Sequence, residues 1–209
     1  MAIYIQFLID VLSLGSLYAL MALGLVIVYG ILKLVNFAYG ELIMVAGYTL
    51  FLLNGSPLPW LAMAGVAVFM AILTGVATEY VAFRPVRSKS VTAVLITSFA
   101  FSTLLQNAAL LFISPRARTV PLPSVFSDTI VLGGAIIPLR NIITIVAAAV
   151  MLGIFSYIMR KTVLGLAMRA AATKFTMARM LGIPANLVIT SAFAISGLLA
   201  GVVSLFWLG

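Results

Sequence analysis

Cysteine and histidine are both absent from this 209-residue chain, and its acidic residues number only four. Without cysteine there is no disulfide and no thiolate. Without histidine the usual zinc and haem ligand sets and the commonest general base are gone as well. The acids Asp10, Glu41, Glu79 and Asp128 stand far apart in sequence, so no paired-carboxylate pattern signals hydrolytic chemistry. Charge of either sign is scarce, at 8% of residues against about 25% in a soluble domain. In its place stand hydrophobic residues, 65% of the chain, in runs long enough to cross a bilayer. These features describe an integral membrane protein with no metal site and no catalytic constellation.

The first basic residue is Lys33, so the positive n-region of a cleaved signal is missing and the opening apolar run is expected to be a retained span. Runs of spanning length occur at Phe7–Ile31, Leu34–Leu53, Leu58–Phe83, Val91–Ile113, Ile142–Met159 and Leu187–Leu208. The expected architecture is therefore all-α and polytopic, with about six transmembrane helices. Asn54-Gly55-Ser56-Pro57 is a clear turn, whereas only Gly30, Lys33 and Asn36 divide the first two runs.

Loops after the first, third and fifth runs hold Lys33, then Arg84, Arg87 and Lys89, then Arg160, Lys161, Arg169, Lys174 and Arg179. The other side holds Arg116, Arg118 and Arg140. By the positive-inside rule the richer side is cytoplasmic, so the N-terminus is expected outside. Dispersed in this way, the charge gives no sign of a nucleic-acid surface; lipid headgroups are its natural partners. Residues 114–140 form an extracytoplasmic loop in which Pro115, Pro121 and Pro123 oppose helix. Within it, Ile130-Val131-Leu132 and Ala135-Ile136-Ile137 around Gly133-Gly134 predict a short β-hairpin.

The inner loop 160–186 is far longer than a helix connection needs, and it is rich in helix formers. Leu166, Ala170, Met177 and Leu181 fall on one stripe of an unbroken helix, which Gly182 and Pro184 would end. A bland reading is an interfacial helix held by Arg169, Lys174 and Arg179; a sharper one is a docking element for a partner protein.

Within this loop, Gly165-Leu166-Ala167-Met168-Arg169-Ala170, followed by Ala178-Arg179-Met180-Leu181-Gly182-Ile183, resembles the cytoplasmic coupling segment of ABC-importer permeases. The resemblance is strongest to the branched-chain amino acid permeases of the Liv H type. Further pieces occur in family order: Leu17 to Leu25 with Tyr29-Gly30, Asn36-Phe37-Ala38-Tyr39-Gly40-Glu41-Leu42, Arg84-Pro85-Val86-Arg87, and Phe193 to Gly201. Tyr39 stands where many relatives have histidine, and Thr173-Lys174-Phe175 where they commonly carry a polar residue and a proline.

The resemblance implies a single transmembrane permease domain over residues 1–209, short of the family's C-terminal third. It implies cytoplasmic ATP-binding subunits, a second permease subunit and an extracytoplasmic substrate-binding protein, in a bacterial or archaeal plasma membrane. Cofactors are expected to be none on this chain, with ATP on the partner subunits; no G-x-x-x-x-G-K-[ST] occurs. Coupling to the ATPase falls to Leu166, Arg169, Ala170, Ala171, Met177, Leu181 and Gly182. Other readings are a permease for a simple sugar or amide, an inactive truncated permease or scaffold, and an ion-coupled carrier. The carrier would have to rely on Glu41 and Glu79.

Asn36 and Glu41 are candidates for the translocation pathway. A charge at the bilayer centre costs about 2.5–3.5 kcal/mol and is usually functional. Near a helix start, however, Asn36 would serve as a cap and Glu41 would favour the positive helix end. Glu79 lies little more than a turn before Arg84, which suggests local pairing or snorkelling. Gly15 with Ala19, and Gly197 with Gly201, place small residues one turn apart for close helix packing. Tyr4, Phe7, Trp60 and Trp207 belong to an interfacial aromatic belt.

Overall fold

A computed structural model describes residues 2–87, 89–113, 129–132, 135–173, 175–180 and 182–207. The chain opens with α1 (Ala2–Leu32), which is apolar on every side and ends where Lys33 takes a left-handed φ of 57°. Then come α2 (Tyr39–Leu53) and α3 (Trp60–Thr78), the latter running into one wide π turn at Glu79–Phe83. Next is α4 (Val91–Phe112), capped by the Ser90 hydroxyl, which accepts from the Ala93 amide at 3.1 Å. The strands β1 (Thr129–Leu132) and β2 (Ala135–Pro138) pair antiparallel with Leu132 opposite Ala135, the expected hairpin. The proline-rich stretch before it, including Pro115, Pro121 and Pro123, lies outside the described residues.

After the hairpin, α5 (Leu139–Lys161) leads to the short helices α6 (Val163–Thr173) and α7 (Phe175–Met180). The last helix is α8 (Ala185–Trp207). The architecture is all-α apart from the hairpin, as expected.

The second crossing differs from expectation. Among the described residues five helices are long and apolar enough to span, but α2 has only 15 residues, about 22 Å at 1.5 Å per residue. Its missing length is the non-helical stretch Leu34–Ala38, which takes the chain back into the bundle before the helix begins. Leu34 packs in the core at the basic end with Ile31, Phe83, Met168 and Val188. At the far end of α2, Leu50 packs with Met63 of α3 and Leu205 of α8. The segment from Leu34 to Leu53 therefore runs the length of the bundle, part uncoiled and part helix.

α8 is central, packed on α1, α2 and α3. Its approach to α3 is backbone to backbone. A Cβ added at Gly197 would lie 2.6 Å from the Ala71 carbonyl oxygen, and one at Gly201 would lie 2.8 Å from Val68 Cα. Gly75 of α3 answers from the other side, where a Cβ would meet the Phe193 carbonyl oxygen at 2.7 Å. Such contacts hold spans together because lipid removes the hydrophobic drive between helices and leaves van der Waals packing to do it. Gly15 and Ala19 depart from expectation: both are exposed, and a Cβ on Gly15 would meet nothing within 4 Å. That face of α1 has no helix against it among the described residues.

Candidate functional site

The uncoiled start of the second crossing is held by a polar seam to α4. Asn36 is 2% exposed, and its Oδ1 accepts from the Ala38 amide at 3.1 Å and the Ser98 hydroxyl at 3.4 Å. The Phe37 amide donates to Ser98 Oγ at 2.9 Å. These bonds give partners to backbone that no helix serves, a condition for irregular chain at membrane depth. In the first turn of α2, Glu41 is buried, and its Oε1 accepts from Ser102 Oγ at 2.9 Å and Gln106 Nε2 at 2.6 Å.

Depth is set by the partners. Ser102 and Gln106 lie 11 and 15 residues into α4, a helix of 22. That is roughly 16 and 22 Å along a span of about 33 Å. Glu41 therefore sits near mid-bilayer rather than near the inner end. It does lie in the first turn of α2, so the helix dipole favours its negative charge and two neutral donors satisfy one oxygen. Asn36 does not occupy the cap position of α2, which is Ala38; it braces the preceding turn instead.

Beside the seam are buried polar atoms without partners among the described residues: Asn36 Nδ2, Tyr39 Oη, Ser196 Oγ and Ser204 Oγ. Ser196, Ala200 and Ser204 share one face of α8 at four-residue spacing, and Ala200 packs with Tyr39 and Leu42. The Tyr39 ring fills the space left by Gly24 of α1, where an added Cβ would collide with it. Native interiors leave few polar atoms unpaired, so four on neighbouring surfaces mark the region as polar by construction. Gln106 is exposed on the outer side of the seam.

Sequence reasoning found Asn36 and Glu41 but not their α4 partners. The signal was present: Ser98, Ser102 and Gln106 recur every fourth residue in an otherwise greasy span, which places them on one helical stripe.

A second polar cluster lies at the basic end. Glu79 is fully buried in the π turn, and Arg87 Nη1 sits 3.2 Å from its Oε1. Thr190 Oγ1 donates to its Oε2 at 3.1 Å, and Arg87 also donates to Asn186 Oδ1. The partner of Glu79 is thus Arg87, not Arg84. Arg84 instead lies over the Tyr80 ring, 4.5 Å from its centroid. The π turn explains the choice, since a wider turn rotates the residues after it away from simple helical spacing.

The inner segment is two helices, α6 and α7, with Lys174 outside the described residues. Gly165, Met168 and Ala171 are buried against the bundle. Ala171 is therefore unavailable to a partner, contrary to expectation, and Ala170 is half-buried. Leu166, Arg169, Met177 and Met180 are exposed. Gly182 has a φ of 82°, and the Ile183 amide donates to the Ala178 carbonyl at 3.1 Å, closing the segment as expected. Leu181 lies outside the described residues.

Comparison with known proteins gives a consistent match. Residues 7–207 match a family described as the branched-chain amino acid transport system permease component. The chain is 35% identical over 212 residues to the high-affinity branched-chain amino acid transport system permease protein BraD of Pseudomonas aeruginosa, covering 95% of this chain and 69% of that one. It is 34% identical over 214 residues to LivH of Salmonella typhimurium, covering 95% and 68%. LivH of Escherichia coli matches at 35% over 214 residues, with the same coverage. No solved structure matches the chain.

Proposed function

The chain belongs to the branched-chain amino acid transport permease family, and from that premise we propose that it is the membrane-spanning subunit of an ATP-driven importer of branched-chain amino acids. The observation that carries this reading is the interrupted second crossing. Transporters use uncoiled backbone and a carboxylate near the bilayer midplane where a polar solute has to pass, and here Asn36, Glu41 and the α4 stripe provide both. A carboxylate held by two neutral donors is suited to line a path, and the family match sets the ion-coupled carrier behind.

Drive would come from separate ATP-binding subunits docked at the basic, cytoplasmic end. Leu166, Arg169, Met177, Met180 and Gly182 offer them an exposed, mixed apolar and basic surface, and the buried side of α6 ties that surface to α1 and α5. A load on α6 is then transmitted to the spans as rigid-body tilting. A second permease subunit and an extracytoplasmic binding protein complete the assembly, in the plasma membrane, and the lysine and arginine asymmetry favours an outside N-terminus.

Uptake of labelled leucine into proteoliposomes holding the chain with its ATP-binding and substrate-binding partners tests this. Uptake should need internal ATP and survive collapse of ion gradients, and the reverse dependence overturns the reading. The double change Leu166→Glu and Met177→Glu should abolish co-purification of the ATP-binding subunit; unaltered recovery refutes the docking role.

A further inference from the structure

At the end of the bundle opposite the basic loops, α1, α5 and α8 enclose an open cavity of about 490 Å³, within the usual range of small-molecule sites. It shares no lining residue with the seam. Two opposite charges line it, Asp10 from α1 and Arg140 from the first turn of α5. They do not pair, since the ion pair found among the described residues is Arg87 with Glu79. Asp10 is instead held by Asn141, whose Nδ2 donates to Oδ1 at 2.6 Å, leaving Oδ2 for another donor. Arg140 lies at the positive end of its own helix, where a cation gains nothing from the dipole. An external anion would relieve it.

The rest of the lining is mixed, with Leu17, Phe206 and Trp207 giving an apolar part and Ser13, Asn141 and Thr144 a neutral polar one. A carboxylate, a guanidinium and an apolar patch lining one cavity are the complement of a zwitterion with an aliphatic side chain. We propose that this cavity is an entry site for free α-amino acids, with the ammonium on Asp10, the carboxylate on Arg140 and the side chain toward Phe206 and Trp207. This rests on the importer reading for its purpose, but the site can be tested without transport. Arg140 suits the task because a guanidinium binds a carboxylate through two parallel hydrogen bonds. The cavity faces the side from which an imported amino acid arrives, whereas Glu41 meets it deeper.

The test has two arms. In the first, the chain in nanodiscs is titrated with leucine, with 4-methylpentanoate, which lacks the amine, and with 3-methylbutylamine, which lacks the carboxylate. Trp207 fluorescence is the readout, with Trp60→Phe removing the other indole. Asp10→Asn should weaken leucine about tenfold and leave 4-methylpentanoate unchanged. Arg140→Gln should weaken leucine similarly and leave 3-methylbutylamine unchanged. Leucine binding that is absent, or altered less than about twofold by both variants, overturns the site. In the second arm, the same variants are placed in the reconstituted importer, where KM for leucine should rise with maximal rate retained. An unchanged KM overturns the entry role. Wild-type liposomes that show no ATP-dependent uptake while the crossed binding pattern holds would sink the importer reading and leave the site standing.

Discussion

Arg87→Gln is the substitution whose cost the structure predicts most directly. It strands the Glu79 carboxylate, which has 0% exposure and one guanidinium at 3.2 Å. Two unit charges at that separation attract by about 5 kcal/mol at an effective dielectric near 20 and about 1.3 kcal/mol in water. The Arg87 side chain is 21% exposed, so the pair falls between these limits. Removing one partner of a buried pair costs about 3–5 kcal/mol, because the remaining charge has lost its compensation. We expect Arg87→Gln to cost about 3 kcal/mol, toward the low end because Thr190 still donates to Oε2. Glu79→Gln should cost less, about 1–2 kcal/mol, since the freed guanidinium can turn toward water. The double variant should recover about 2 kcal/mol relative to the sum. Unfolding free energies in mixed micelles, by steric trapping or denaturant titration, close the cycle. Additivity within about 0.5 kcal/mol would falsify the claim that these two charges stabilise one another. Arg84→Gln is the control, and it should cost no more than about 1 kcal/mol because only a ring contact is lost.

Other substitutions probe the packing and the seam. Gly197→Ala sets a methyl group against the Ala71 and Ile72 backbone and should destabilise by about 1–3 kcal/mol. Gly15→Ala, in open space, should be neutral or stabilise by up to about 1 kcal/mol. Equal thermal shifts for the two would refute the α3–α8 assignment. Joint replacement Ser102→Ala with Gln106→Leu removes both donors to Glu41 and should cost at least about 2 kcal/mol in micelle unfolding. Adding Glu41→Leu should restore much of it, and no restoration would argue against the seam. Gly182→Ala forces an alanine to a φ of 82° and should cost about 1–2 kcal/mol, read as faster proteolysis after α7 with the spans intact.

Much of the architecture was legible in composition and period. Long apolar runs named the spans, and Gly133-Gly134 between two apolar triplets named the hairpin. Gly197 and Gly201 could be read as a packing motif because small residues one turn apart have few other uses in a span. The same motif misled at Gly15 and Ala19, since a stripe says what could pack there and not whether a neighbour does. Ala171 failed for the same reason: local periodicity does not show which side of an amphipathic helix meets the bundle.

What the sequence alone determined is the membrane, the scarcity of chemistry and the short list of polar residues worth asking about. Those come from transfer free energy and helical period, which act residue by residue. Only the tertiary structure decided that Glu41 lies at mid-depth on Ser102 and Gln106, that Glu79 pairs with Arg87, and that Asp10 and Arg140 line one cavity with no ion pair between them. Each of these joins residues more than one helical turn apart in sequence, most of them on different helices. Their positions depend on where an uncoiled stretch, a π turn and a backbone-tight crossing set the helices. No single-residue energy contains that information.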